Sequence, residues 1–179
     1  QGQNVPFNRG LELAGKTVGI IGLGHIGTRL AELLQGFGVN IIAYNRTPKK
    51  IKSIKDVDLE TLLKQSDIIC NTCRLAPETR NLISMKQLQL MKKNAILTST
   101  TGGIINLDDL AKYLQTDTLF GVGLDDVDQQ IVPNELKTSE KVICTYHRAY
   151  DTNESERNRI NLCIDAIESF FNGKPINTI

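Results

Sequence analysis

Long apolar runs are missing from this sequence, and with them any segment able to cross a bilayer as a helix. An excess of one charge is missing too. The 21 Lys and Arg against 20 Asp and Glu leave a formal charge of +1, and outside residues 46–55 the bases form no block, so nothing marks a nucleic-acid surface. No signal-peptide pattern is seen, and the expectation is a cytoplasmic protein. Cysteine is sparse: Cys70, Cys73, Cys144 and Cys163, without secretory context, are expected to be free thiols. Cys70-Asn71-Thr72-Cys73 has the spacing of half a zinc site, but a second CxxC is lacking and the two histidines, His25 and His147, stand far off in sequence, so no metal is expected. What remains is ordinary globular composition, 40% hydrophobic and 23% charged, over 179 residues, which suits one domain with a real core.

The stretch from Thr17 to Arg46 organises the rest. A β-branched apolar run (Val18, Ile20, Ile21) leads into Gly22-Leu23-Gly24-His25-Ile26-Gly27, then a helical pattern with Ile26, Leu30, Leu33 and Leu34 at helical spacing, then a second apolar run from Val39 to Tyr44. That is strand, glycine turn, helix, strand, the context in which GxGxxG binds a dinucleotide. Gly22 permits the tight turn, Gly24 lets a pyrophosphate approach the backbone, and Gly27 lets helix and strand close up. The helix N-terminus then offers unpaired N–H groups and the positive end of its dipole to the phosphates.

The end of the second strand bears on which dinucleotide is bound. A carboxylate about twenty residues past the glycines would accept hydrogen bonds from the adenosine ribose. Asn45 stands there instead, followed by Arg46 and Thr47, with Lys49, Lys50, Lys52 and Lys55 close behind. With no carboxylate to repel a 2′-phosphate, and an arginine and a hydroxyl placed to bind it, NADP is favoured over NAD. The alternative is that these bases form only a solvated loop.

Along the chain, residues 1–10 read as a linker or frayed end and 11–179 as one dinucleotide-binding domain. A short helix is expected over Asp58 to Gln65, a strand over Ile68 to Cys73, a loop at Ala76-Pro77-Glu78-Thr79, a helix over Leu82 to Met91 and a strand over Ala95 to Thr98. The hydroxyl-rich turn Thr98-Ser99-Thr100-Thr101-Gly102-Gly103 follows, at the strand end where doubly wound sheets bind ligands. Asn106 can cap a helix over Leu107 to Leu114. Strands at Leu119 to Leu124, ending on Asp125-Asp126, and at Val142 to Thr145, ending on Tyr146-His147-Arg148, precede a long helix from Glu154 to Phe171 whose stripe is Ile160, Cys163, Ile164, Ile167 and Phe171. Strands alternating with helices predict an α/β, Rossmann-type, doubly wound parallel sheet with helices on both faces.

Several segments in order then resemble the cofactor-binding domain of the D-isomer-specific 2-hydroxyacid dehydrogenases, which include phosphoglycerate, glycerate and hydroxypyruvate reductases. They are Leu13-Ala14-Gly15-Lys16-Thr17-Val18-Gly19-Ile20-Ile21-Gly22-Leu23-Gly24, Pro77-Glu78-Thr79-Arg80-Asn81-Leu82-Ile83, Leu90-Met91-Lys92-Lys93-Asn94-Ala95 and Gly173-Lys174-Pro175-Ile176-Asn177. The resemblance implies an oxidoreductase passing hydride between NAD(P) and a small 2-oxo or 2-hydroxy acid. It also implies a homodimer, and a substrate-binding domain that this chain lacks and that the helix at 154–172 would complete. Almost nothing precedes Leu11, so an excised domain or a remnant of a longer protein is expected, inactive alone.

The expected cofactor contacts are Gly22, Gly24, His25, Ile26 and Gly27 in the turn, and Asn45, Arg46 and Thr47 after the second strand. Further along come Cys73, Arg74 and Thr79, then Ser99, Thr100 and Thr101, then Asp125 and His147. In the family an arginine holds the substrate carboxylate, a histidine moves the proton on oxygen, and a glutamate tunes that histidine. The histidine matches His147. The arginine falls on Thr101, or on Gly102 with the gap placed differently, the glutamate maps to Gln130, and Arg74 and Tyr146 replace prolines. Three readings follow: a hydride-transferring enzyme with a relocated cation, Arg74 or Arg148; a non-catalytic dinucleotide-binding sensor or scaffold; or a reductase of a substrate without a carboxylate.

Overall fold

In a computed structural model that describes residues 10–49, 51 and 53–177, the first strand carries the alternation that sets the layers. Along β1 (Thr17–Ile21), Val18 and Ile20 pack with Leu23, Ala31, Ile41 and Ala43 on one face, while Ile21 joins Ile42, Leu62, Leu63 and Ile69 on the other. A strand buried on both faces must be central. Each such Ile or Leu removed from water stabilises the fold by about 1.5–3 kcal/mol. Residues 1–9 of the linker expected over 1–10, and Lys50 and Lys52 of the basic loop, lie outside the described residues.

The chain divides into two compact units, residues 1–146 and 147–179. In the first, β1 is followed by α1 (His25–Leu34), β2 (Asn40–Tyr44), the two-residue β3 (Lys55–Asp56), α2 (Leu59–Gln65) and β4 (Ile68–Asn71). Then come α3 (Met85–Leu88), β5 (Ile96–Ser99), α4 (Leu107–Leu114), β6 (Gly121–Leu124), α5 (Asn134–Lys137) and β7 (Val142–Cys144). The strands form one seven-stranded parallel sheet in the order β3-β2-β1-β4-β5-β6-β7. After β1 the chain builds outward to β2 and β3, then returns to lay β4 on the other side of β1. This reversal opens a crevice beyond the carboxyl ends of β1 and β4, where open α/β sheets take ligands.

Local caps set the helix starts. Asp58 accepts the Thr61 N–H at 2.8 Å, and that bond, with the Thr61 hydroxyl, holds its carboxyl below the ordinary range. Asn106 accepts the Asp109 N–H at 3.0 Å and starts α4 at the predicted residue. The helix expected over Leu82 to Met91 is shorter. Ser84 caps it with a reciprocal Gln87 contact and it spans only Met85–Leu88, because Ile83 is drawn into a parallel bridge with Ile105.

Asp67 ties the sheet together below β1. Burial alone would raise its carboxyl, but hydrogen bonds from the Thr17 N–H (2.8 Å) and Lys92 (3.0 Å) outweigh that and hold it below the usual 3.8. A depressed folded-state value contributes stability above the unfolded value that is lost as pH falls through the folded one. Asp67→Asn is therefore expected to cost about 1 kcal/mol at pH 7, discounted for a partly exposed pair. In urea melts the gap from wild type should close as the pH drops below 3.8; a gap that persists in acid would contradict the assignment.

The second unit contains α6 (Asn153–Phe171), which Thr152 caps by accepting the Ser155 N–H at 3.1 Å. Its apolar stripe is uncovered: Ile160, Ile164, Ile167 and Phe171 are all exposed.

Candidate functional site

The glycine turn was legible because each of its glycines is required for a different reason. Gly22 has φ +94°, and a Cβ on it would stand 2.7 Å from the backbone of Cys73. At Gly27 a Cβ would lie 2.1 Å from the Gly22 carbonyl oxygen and 2.6 Å from Thr72 Oγ1, so α1 can sit this close to β1 only with hydrogen there. Gly24 differs. Its backbone is extended, and a Cβ would meet no protein atom within 4 Å. Nothing in the protein requires glycine there; a ligand laid against the backbone would.

Gly24 is also the N-cap of α1, which has no side-chain cap and no acidic residue in its first turn. The N-terminus of this ten-residue helix is thus left for an external anion. It opens on a cavity of about 760 Å³. Gly22, Gly24, His25 and Ile26 line one wall, Asn45 and Arg46 another, and Cys73, Arg74 and Thr79 a third. Ile26 was expected on the inward face of α1; it is 60% exposed, because Gly27 and Ala31 make the close contact and Ile26 turns to the cavity. Burial pushes the Cys73 thiol up, and its S–H donates to Asn71 Oδ1, so at neutral pH it offers the cavity a neutral wall.

Asn45 is held by what it accepts and open in what it donates. Its Oδ1 takes the Leu23 N–H at 2.6 Å, clamping the end of β2 to the glycine turn, while its Nδ2 is buried with no partner among the described residues. An unpaired buried donor costs about 1–3 kcal/mol unless something accepts from it. The acceptor-rich ribose and phosphates of a dinucleotide fit both this donor and the open backbone at Gly24. Lys49 closes the same corner by donating to the Leu23 carbonyl at 2.6 Å.

The other expected contacts lie elsewhere. Thr47 is exposed and does not line the cavity. Ser99, Thr101 and Asp125 surround a void of only about 10 Å³ and are engaged with one another's strands. Asn71 Nδ2 donates to Ser99 Oγ at 2.8 Å, which donates to the Thr101 carbonyl at 2.9 Å, and the Asp125 N–H reaches the Ser99 carbonyl at 2.8 Å. Thr145 Oγ1 donates to Asp125 Oδ1 at 2.7 Å. Thr100 N–H bonds to the Asn71 carbonyl at 3.1 Å. This chain of bonds fixes the hydroxyl-rich turn at the carboxyl ends of β4 to β6. Gln130 lies past β6, its N–H on Asp128 Oδ1 at 2.8 Å.

His147 and Arg148 belong to the second unit, where His147 has φ +63° and meets the Tyr150 ring edge-on at 5.3 Å, and Arg148 pairs with Asp151 at 2.6 Å. Among the described residues no group of three or more His, Cys, Asp or Glu is placed to hold a metal, and no helix is long and apolar enough to cross a membrane. Sequence reasoning missed Thr72, whose hydroxyl donates to the Gly22 carbonyl at 2.6 Å. Its signal was its position at the end of the strand beside β1.

Residues 2–149 match the family described as D-isomer specific 2-hydroxyacid dehydrogenase, NAD binding domain. The chain belongs to this family. A glyoxylate reductase of Thermococcus litoralis is 38% identical over 177 residues, covering 95% of this chain and 54% of that protein. A glycerate dehydrogenase of Methylorubrum extorquens is 35% identical over 178 residues, 94% of this chain and 54% of that one. Among solved structures, an acyclic imino acid reductase in complex with NADPH and D-Arg superposes with TM-score 0.88 at 32% identity, over 99% of this chain and 58% of that one. D-lactate dehydrogenase with NAD+ from Lactobacillus jensenii does so with TM-score 0.85 at 30% identity, over 94% and 56%. The chain spans about half the length of the relatives it matches. Fold and family thus agree with the resemblance, and the family's domain is one that binds NAD(P).

Proposed function

We propose that residues 11–179 form the cofactor domain of an oxidoreductase that passes hydride between NADP(H), preferred over NAD(H), and C2 of a small 2-oxo or 2-hydroxy acid. In this reading the protein is a cytoplasmic homodimer, with a substrate domain supplied by further sequence and packed on the exposed stripe of α6. The observation that carries the reading is the pairing of an open Gly24 backbone with an unpartnered Asn45 donor in one cavity. The relatives' names, glyoxylate reductase and glycerate dehydrogenase, point to the substrate class.

The residues act in separable ways. The first turn of α1 and the Gly24 backbone would hold the diphosphate, Asn45 Nδ2 would donate to the adenosine ribose, and Arg46, with the exposed Thr47 next in sequence, would take the 2′-phosphate. Asn71 and Ser99 hold the Thr98–Gly103 turn still, so that Thr100, Thr101 and Asp125 would stand by the nicotinamide, and Thr79 would meet the cofactor from the cavity wall. When bound, the reduced cofactor supplies hydride. His147 gives the substrate oxygen its proton, so that 2-oxo acid, NADPH and a proton become 2-hydroxy acid and NADP+.

Calorimetric titration with NADPH and NADH tests the preference. Arg46→Ala is expected to weaken NADPH about tenfold or more, the worth of a charge-assisted contact, and to leave NADH within about twofold. Equal affinities for the two cofactors, unmoved by the substitution, would remove the phosphate clamp.

A further inference from the structure

A carboxylate substrate needs a cation at the nicotinamide end of the sheet, and the turn at that end, Thr98-Ser99-Thr100-Thr101-Gly102-Gly103, carries none. One arginine is fastened to it from outside. Asn81 N–H donates to the Gly103 carbonyl at 2.9 Å and Ile83 N–H to the Ile104 carbonyl at 3.0 Å, so residues 81–83 run as a hydrogen-bonded rail along the turn. Arg80 stands at the head of that rail, and a Cβ built on Gly103 would lie 3.8 Å from Arg80 Nη1. Gly103 itself has φ +74° and no side chain of its own; the Leu75 methyls share the space over it, 3.1 and 3.3 Å from the same Cβ position, so Leu75 and Arg80 together cover this part of the turn.

Arg80 is exposed, and among the described residues no carboxylate pairs with it, whereas Lys92 is held by Asp67 and Lys141 by Asp117. Arg74 lines the cavity that the proposed function gives to the nucleotide. We propose that Arg80 is the anchor for the substrate carboxylate, reaching across Gly103 to bind a small 2-oxo acid over the hydroxyl-rich turn. Its planar fork suits a carboxylate bidentately, and the Thr101 hydroxyl would add a neutral donor, whereas the Thr100 N–H and hydroxyl are both spent on the Asn71 carbonyl.

This rests on the proposed hydride transfer, and the experiment separates the two. In the NADPH-dependent reduction of glyoxylate by the full-length parent, substrate domain included, Arg80→Gln should raise KM for glyoxylate about tenfold or more, with kcat less affected and the Kd for NADPH unchanged. Arg80→Lys should recover part of the loss. Adding Thr101→Arg, which puts a second guanidinium on the same turn, should restore low KM to Arg80→Gln, an effect a merely structural Arg80 would not allow. A KM within about twofold of wild type in Arg80→Gln would overturn the assignment. Should the full-length wild type reduce no 2-oxo acid, hydride transfer fails, and Arg80 is judged by titrating oxalate into the same NADPH-loaded full-length protein: binding lost in Arg80→Gln supports the anchor, and binding that is equal or absent in both overturns it.

Discussion

Gly24→Val should lower the affinity for NADPH about a hundredfold or more while leaving the melting midpoint within about 3 °C of wild type. The two halves of that result come from one observation. A Cβ at position 24 meets no protein atom within 4 Å and the backbone there is extended, so the fold has room for the side chain. The N-cap preference for glycine over valine is worth at most about 1 kcal/mol, which bounds the stability change. A diphosphate lying on that backbone would be pushed off the helix N-terminus by a branched side chain, and hydrogen bonds to a charged group do not survive an extra ångström or two. Fluorescence titration and a thermal melt on the same sample measure both. Loss of stability with affinity intact would mean that Gly24 serves the fold.

Gly27→Ala should show the opposite balance. Alanine improves helix propensity by about 1 kcal/mol, but its Cβ would stand 2.1 Å from the Gly22 carbonyl oxygen, a backbone atom that cannot step aside. Overpacking of this kind typically costs about 1–3 kcal/mol, and more when backbone must move, so a net loss of about 2 kcal/mol is expected. In a domain of this size that is roughly 4–8 °C in melting midpoint. Because relief comes from lifting α1 off β1, the phosphate-binding end moves as well, and NADPH affinity should fall with stability. A variant as stable as wild type would show that the helix is not seated on Gly27.

The contrast between these glycines also shows what could be read before the structure. The steric demands of a strand-turn-helix are local, so the turn and its ligand class were visible in six residues. The Asn106 cap and the period of Leu107–Leu114 are local too, and α4 starts and stops as expected. What failed was made by distant partners. The two residues of β3 are a strand only because Lys55 and Asp56 pair with Ile42 and Ala43. Leu82 and Ile83 looked helical by apolar spacing, yet Ile83 bridges Ile105 across 22 residues. In the site, Asn45 was noticed as a missing carboxylate; that its Oδ1 would be spent on Leu23, leaving Nδ2 free for a ligand, depends on a contact 22 residues away. The network through Asn71, Ser99 and Thr101 joins β4 to the β5 turn and leaves no mark in either segment alone. The stripe of α6 was legible as a pattern, but its exposure in the second unit was not, since periodicity says which face is apolar and not what covers it.

The backbone amides of Gly24, His25 and Ile26, followed by NMR as NADPH is added, bear most directly on the claim that the first crossover holds a diphosphate. The account predicts that these three resonances shift saturably with one equivalent of nucleotide and move far less in Gly24→Val. Resonances that stay in place while NADPH binds elsewhere, or that fail to respond at all, would contradict it.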